Sequence, residues 1–278
     1  MCEIAIARNQ LKGKEKVNIK MIVTDLDKTL LRSDKTISDY TAKTFHLCQQ
    51  LGIIVVFATA RSESSCKRFI KLINPDAIIS NGGAIVRIGR NVIYHATMNV
   101  KIANELLRLC LEHPKVGYVT VDTEKGYFVN KLIGKHVPSW DEYVSASQKD
   151  LSKGLECDAY KITAEIFDDS TAYSIASTFP TIDVLKFSGE RWFRFANTYA
   201  NKWEGLKSLA AYANVDLREI VAFGDDHNDV AMVSKCGTGV AVDNAIAEVK
   251  DVADYVCDTN DSDGVARWLE ENIQRLAL

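Results

Sequence analysis

Apolar runs that stop abruptly on polar or acidic residues recur along this chain, and they constrain its fold more than any other feature. Met21-Ile22-Val23-Thr24 runs into Asp25-Leu26-Asp27-Lys28-Thr29, Ile53 to Ala58 is unbroken and ends at Thr59, and Ala77-Ile78-Ile79 ends at Ser80-Asn81-Gly82-Gly83. Later, Ile220 to Phe223 ends at Gly224-Asp225-Asp226-His227-Asn228-Asp229, and Val240-Ala241-Val242 ends at Asp243-Asn244. Short continuous apolar runs of this kind read as strands buried on both faces. Amphipathic stripes lie between them. Ser38 reads as the N-cap of a helix carrying Ala42, Phe45, Cys48 and Leu51, which Gly52 stops. Ser62 precedes a stripe of Cys66, Phe69, Ile70 and Ile73. Trp203, Leu206, Leu209, Ala210 and Ala213 mark a third stripe, and Val265, Trp268, Leu269 and Ile273 a C-terminal one. Strands alternating with helices predict an α/β fold, a parallel sheet covered by helices on both faces.

The texture changes between about residues 85 and 199. A helix carries Ala103, Leu106, Leu107, Cys110 and Leu111, and the strands Tyr118–Val121, Lys161–Ile166 and Arg191–Phe195 alternate. Alternation predicts an antiparallel sheet with one face solvated and helices on the other. The expected division is therefore a Rossmann-like core over 20–84 and 200–278, interrupted by an inserted α/β unit over 85–199. Residues 1–19, punctuated by Lys12, Lys14 and Lys16, read as a flexible extension whose apolar run is too short for a signal peptide.

A formal net charge of −3 leaves no electrostatic footprint for nucleic acid or an anionic membrane. No apolar stretch nears the ~20 residues of a membrane span. The seven cysteines are scattered without paired spacing, which favours buried thiols in a reducing cytoplasm over disulfides or zinc. Dinucleotide binding is disfavoured because no Gly-x-Gly-x-x-Gly follows the first strand.

The acidic strand ends carry the chemistry. In an open parallel sheet the carboxyl ends of the strands share one edge, where such folds bind ligands. Asp25 and Asp27 crowd one turn there, and Asp225, Asp226 and Asp229 another. Carboxylates packed this closely repel unless a cation or protons relieve them. One carboxylate of such a pair can attack as a nucleophile while the other moves protons. Taken singly, the elements are bland: Thr59 can simply end a strand, Lys202 can be a surface lysine, and Asn81-Gly82-Gly83 can be a turn that starts the linker to the insert.

Taken in order, Asp25-Leu26-Asp27-Lys28-Thr29, Thr59, Lys202 and Gly224-Asp225-Asp226-His227-Asn228-Asp229 resemble the four motifs of the haloacid dehalogenase superfamily. Ser80-Asn81-Gly82-Gly83-Ala84 before a large insert is similar to the Cof-type hydrolases, which include many sugar-phosphate phosphatases. The resemblance implies a magnesium-dependent phosphatase of small phosphorylated metabolites, working through an aspartyl phosphate, with the insert as a cap that sets specificity. It implies Asp25 as nucleophile, Asp27 as general acid and base, and Lys202 as the cation that neutralises the phosphate. Thr59, Ala60 and Asn228 are implied as phosphate contacts. Asp25, the Asp27 carbonyl and Asp225 are implied to hold Mg2+, with Asp229 orienting Lys202 or metal-bound water. Lys28 and Ala60 stand where many relatives have glycine, and Asn201-Lys202-Trp203-Glu204-Gly205 departs from the usual lysine-glycine pair. A phosphomutase of the same fold, or a non-catalytic phosphometabolite-binding module, are the alternative readings. A monomer or small homo-oligomer is expected.

Overall fold

The structure, a computed structural model, describes residues 19–130, 147–148 and 150–276. The expected N-terminal extension lies outside the described residues except for Ile19, which is buried. None of the described cysteines is in a disulfide, and Cys48, Cys66, Cys110, Cys236 and Cys257 are buried.

The described residues form two sheets. In the first, β1 (Met21–Thr24), β2 (Ile54–Ala58), β3 (Ala77–Ser80), β12 (Ile220–Gly224), β13 (Thr238–Val242) and β14 (Tyr255–Cys257) run parallel. β4 (Ile85–Ile88) and β5 (Asn91–His95) extend it as an antiparallel hairpin, giving the order β14-β13-β12-β1-β2-β3-β4-β5. Helices cover both faces, as continuous apolar strands require. On one side Ile22, Val55, Phe57, Val221 and Phe223 pack with residues of α1 (Asp39–Gln50), α2 (Lys67–Ile73) and α8 (Gly264–Leu276). On the other, Met21, Val23, Val56, Ala222 and Ala241 pack with Leu206, Leu209, Met232 and Val249 of α5 (Lys202–Ala213), α6 (Val230–Lys235) and α7 (Ala247–Val252).

The second sheet lies in the inserted region and has the order β10-β11-β9-β6-β7-β8, with β6 (Val116–Thr123), β7 (Gly126–Val129), β8 (Ser147–Gln148), β9 (Ala159–Ile166), β10 (Ile182–Lys186) and β11 (Trp192–Asn197). Its neighbours are antiparallel, except that β8 runs parallel to β7. Val119, Val121, Ile162, Ala164, Phe193 and Phe195 face α3 (Val100–Glu112) and α4 (Asp169–Ser177) and form its core.

Two local expectations are corrected. Residues 85–95 belong to the first sheet, so the second begins later than the change of texture suggests; an antiparallel edge hairpin alternates in sequence wherever it sits. The alternate face of the second sheet is also not solvated. Thr120, Asp122, Lys161, Thr163 and Arg194 are all buried, and register pairs Asp122 with Lys161 and Thr163 with Thr120 and Arg194. This polar face is covered by the parallel-sheet unit instead of by water. Alternation reports a polar face, and here that face lines a cavity.

Local chemistry explains the strand ends. Ser38 caps α1 by accepting from Thr41 N at 3.0 Å. Lys28 has φ +60°, the left-handed conformation that makes glycine common there, whereas Ala60 is not among the described non-glycine residues with positive φ. Gly83 has φ +105°, and a Cβ there would lie 2.1 Å from Asn201 C and O and 2.6 Å from Lys202 N. The outgoing and returning linkers therefore touch backbone to backbone at the start of α5. We predict that Gly83→Ala destabilises the protein by about 3 kcal/mol in chemical denaturation. A loss below about 0.5 kcal/mol would show that this contact is not tight.

Candidate active site

The parallel strands deliver their carboxyl ends to one edge. Register aligns Thr24 with Phe57 and Phe223, so Asp25 follows β1 beside the turn that carries Thr59 after β2 and the turn that carries Asp225 after β12. Lys202 is the first residue of α5, which Asn201 caps by accepting from Glu204 N at 2.9 Å. The cap fixes the helix start, and with it the direction in which Lys202 projects.

Lys202 Nζ donates to Asp25 Oδ1 and to Asp229 Oδ1, each at 2.6 Å, and all three side chains are buried. Asp229 Oδ2 accepts from the backbone N–H groups of Asp225 (3.1 Å) and Asp226 (3.2 Å). Both its oxygens are thus committed to orienting other groups. Thr29 Oγ1 donates to Asp225 Oδ1 at 2.6 Å. Carboxylate oxygens of Asp25, Asp225 and Asp229 all lie within 4.8 Å of one another. Against these three carboxylates Lys202 supplies one charge, which leaves two negative charges in a buried cluster.

The titration shifts follow from that imbalance. Burial raises the Asp25 carboxyl well above its ordinary value, Lys202 opposes this, and Asp229, Asp225 and Asp27 add to it. Burial, then Asp229, push Asp225 up to about 7 against the Thr29 hydrogen bond and Lys202. Burial would depress Lys202, but Asp229 and Asp25 outweigh it and raise its pKa. Without a cation the cluster holds protons. An all-oxygen donor set of this charge and spacing fits a hard divalent cation.

Asp27 is held differently. Arg61 donates to Asp27 Oδ2 from Nε at 2.5 Å and to Oδ1 from Nη2 at 2.7 Å, and Lys35 Nζ adds a bond to Oδ1 at 3.0 Å. Burial would raise its pKa, but the Arg61 hydrogen bonds and charge, followed by Lys35, bring it down to about 2.

A cavity of ≈ 240 Å³ opens above these groups, bounded by Asp25, Asp27, Ala60, Lys202, Asp225, Asn228 and Asp229 on the parallel-sheet side. Asp122, Tyr127, Lys161, Phe187, Ser188 and Arg194 close it from the inserted region. Polar contacts join the sides: Lys161 Nζ donates to Ala60 O at 2.6 Å, Ser188 Oγ to Asp226 Oδ1 at 2.5 Å and Arg194 Nη1 to Gly82 O at 3.1 Å. Of the residues singled out in the sequence, Asp25, Asp27, Ala60, Lys202, Asp225, Asn228 and Asp229 share this cavity. Thr59 is fully buried, and its Oγ1 accepts from Arg61 N at 3.1 Å. His227 is exposed, as a helix-start residue should be. Sequence reasoning missed Arg61, Lys35, Lys161, Ser188 and Arg194. Arg61 was within reach, two residues after Thr59. Lys161 and Arg194 belong to the covered polar face of the second sheet, whereas Lys35 and Ser188 lie in turns that no spacing rule brings to the site.

The family model described as haloacid dehalogenase-like hydrolase matches residues 22–269. A 5-amino-6-(5-phospho-D-ribitylamino)uracil phosphatase of Bacillus subtilis, YitU, is 27% identical over 277 residues, covering 90% of this chain and 96% of that protein. Phosphatase YwpJ of the same organism is 27% identical, with coverage of 91% and 99%. Among solved structures, a haloacid dehalogenase-like hydrolase from B. subtilis superposes with TM-score 0.80 at 24% identity, covering 91% of this chain and 99% of that one. A subclass IIB sugar phosphatase of the superfamily superposes with TM-score 0.79 at 21% identity, with coverage of 91% and 98%. The structural likeness bears out the expected fold class, and the family match bears out the expectation of a hydrolase. No helix among the described residues is long and apolar enough to cross a membrane.

The raised Asp225 and Asp25 carboxyls predict a pH-dependent response to metal. A carboxyl whose pKa is higher folded than unfolded adds stability that is full below the unfolded value near 4 and is lost as pH rises through the folded value, about 7 for Asp225. Metal-free protein should therefore lose melting temperature between about pH 4 and 7. Magnesium should raise the melting temperature by several degrees at pH 8 and much less at pH 5, where protons compete. Equal magnesium effects at both pH values would contradict this.

Proposed function

The chain belongs to the haloacid dehalogenase-like hydrolases, and we propose that it is a magnesium-dependent phosphatase of small phosphorylated metabolites that works through an aspartyl phosphate. The observation that carries the reading is Lys202 bridging Asp25 and Asp229 beside Asp225 at the floor of the cavity. The relatives named as phosphatases support it.

Asp25 is the nucleophile: one carboxylate oxygen bonds to phosphorus as the bond to the leaving oxygen breaks. Asp27 gives its proton to that oxygen, so the product leaves as an alcohol. In the second half-reaction Asp27 takes a proton from water, whose oxygen attacks phosphorus and releases Asp25 and phosphate. Lys202 keeps Asp25 oriented and offsets charge on the transferring group. When bound, Mg2+ would be held by Asp25, the Asp27 carbonyl and Asp225 and would neutralise phosphate oxygens. Asp229, with both oxygens engaged, orients Lys202 and the turn carrying Asp225. Asn228 and Ala60, at the cavity, contact the substrate and its phosphate, and Thr59, buried behind them, holds the turn through Arg61 N.

Asp27 needs a further step. Paired with Arg61 and Lys35 it is ionised, the form that accepts a proton from water. To protonate a leaving group it must carry a proton first. A phosphoryl group that draws Arg61 onto its own oxygens leaves Asp27 with Lys35 alone, and losing the stronger partner raises its pKa from about 2. The arrival of substrate thereby arms the acid.

Two variants test these assignments. Asp25→Asn preserves shape but cannot attack, and kcat for p-nitrophenyl phosphate should fall about a hundredfold or more, ~2.7 kcal/mol. Retention of more than a few per cent of the wild-type rate would remove Asp25 from the role. Asp27→Asn should slow the phosphorylation step far more for a sugar phosphate, whose alkoxide needs a proton, than for p-nitrophenyl phosphate. Parallel losses on both esters would contradict a general-acid role.

A further inference from the structure

The buried and half-buried cations around the cavity are each matched by carboxylate, with one exception. Lys202 has Asp25 and Asp229, Arg61 has Asp27, and Lys161 lies 3.6 Å from Asp122. Arg194 lines the same cavity, is 3% exposed, and has no carboxylate within ion-pair distance among the described residues. Its Nη1 donates to two carbonyls, Gly82 O and Ala200 O, both at 3.1 Å. Its Nε is buried without a hydrogen-bond partner, and so is the Oγ1 of Thr163, its register partner on β9. Neutral carbonyls position a guanidinium but do not balance its charge, and a buried cation left uncompensated is costly.

Its place in the cavity shows which part of a substrate it meets. Arg194 projects from β11, on the face that closes the cavity from above. Its hydrogen bonds run to the two linkers, at Gly82 O and Ala200 O, whereas Asp25, Asp225 and Asp229 form a separate cluster around Lys202. Burial brings Arg194 down to about 10, so it is still cationic at neutral pH. A phosphate held at Asp25 would turn the alcohol portion of its ester towards the wall that carries Arg194, and the buried side chains of this wall carry one net positive charge, Lys161 and Arg194 against Asp122.

Resting on the phosphatase reading, we propose that Arg194 determines specificity by binding an anionic group, a carboxylate or a second phosphate, on the leaving-group part of the substrate. Arginine suits either, because its planar fork presents parallel N–H donors to two oxygens. Such a preference comes from differential transition-state binding, since a neutral congener leaves the guanidinium unpaired.

The test compares matched esters on the magnesium-loaded full chain. A hexose 6-phosphate is set against the corresponding 6-phosphoaldonate and a hexose bisphosphate, with phosphate release as readout. Wild type should favour at least one anionic congener by tenfold or more in kcat/KM, and the two arms tell carboxylate from phosphate. Arg194→Gln should collapse that ratio towards one, and Arg194→Lys should restore part of it. If wild type hydrolyses the neutral ester as well as both anionic ones, the inference fails while the phosphatase reading stands. If Arg194→Gln lowers all three in parallel, Arg194 is only a pin between the two linkers, and the inference fails again. No release from any ester, acetyl phosphate included, would overturn the phosphatase reading as well.

Discussion

Lys202 between Asp25 and Asp229 is the interaction on which the site depends. One ammonium holds two buried carboxylates at 2.6 Å, and a third, Asp225, lies within 4.8 Å. Three like charges taken out of water would not persist on hydrogen bonds alone. The lysine removes one unit of the excess, and the remainder is the charge of a single divalent ion. The raised Asp225 carboxyl follows from that imbalance, and the proposed metal site and the proposed orientation of Asp25 as nucleophile rest on it too.

The fold exists, in this view, to hold that imbalance in place. A parallel sheet covered on both faces supplies a rigid edge where turns from distant parts of the chain meet: Asp25 from the first strand and Asp225 from the twelfth are sequence-remote but adjacent in register. Lys202 comes from a helix whose start is fixed by the Asn201 cap and whose neighbour is the tight Gly83 crossing. The linkers to and from the inserted region therefore run through the catalytic edge. Lys161 on Ala60 O and Ser188 on Asp226 join the insert to the turns after β2 and β12. On the proposed reading, an insert so connected would choose the leaving group and exclude water from the reaction.

How much was legible in the sequence differs between the two sheets. The parallel sheet was readable because each of its strands is apolar throughout and stops on polar residues, a pattern with few structural alternatives. Ordered motifs placed Asp25, Asp27, Lys202 and Asp225 at one edge, and the structure brings them together. The inserted sheet gave its strands but not its environment. Thr120, Asp122, Lys161, Thr163 and Arg194 look like a solvated face, because alternation cannot distinguish water from a polar cavity. For the same reason residues 85–95 were grouped with the insert, although they complete the first sheet. The grip of Arg61 and Lys35 on Asp27 is a matter of side-chain geometry that no spacing rule contains.

The account is tested most directly by a crystal structure with magnesium and beryllofluoride, a phosphoryl mimic that bonds to an activated carboxylate. It should show beryllium on an Asp25 oxygen, magnesium between Asp25 and Asp225, Lys202 still bridging to Asp229, and Arg61 turned from Asp27 towards the fluorides. Beryllofluoride on another residue, or magnesium held without Asp225, would contradict the claim that this cluster is a phosphoryl-transfer centre.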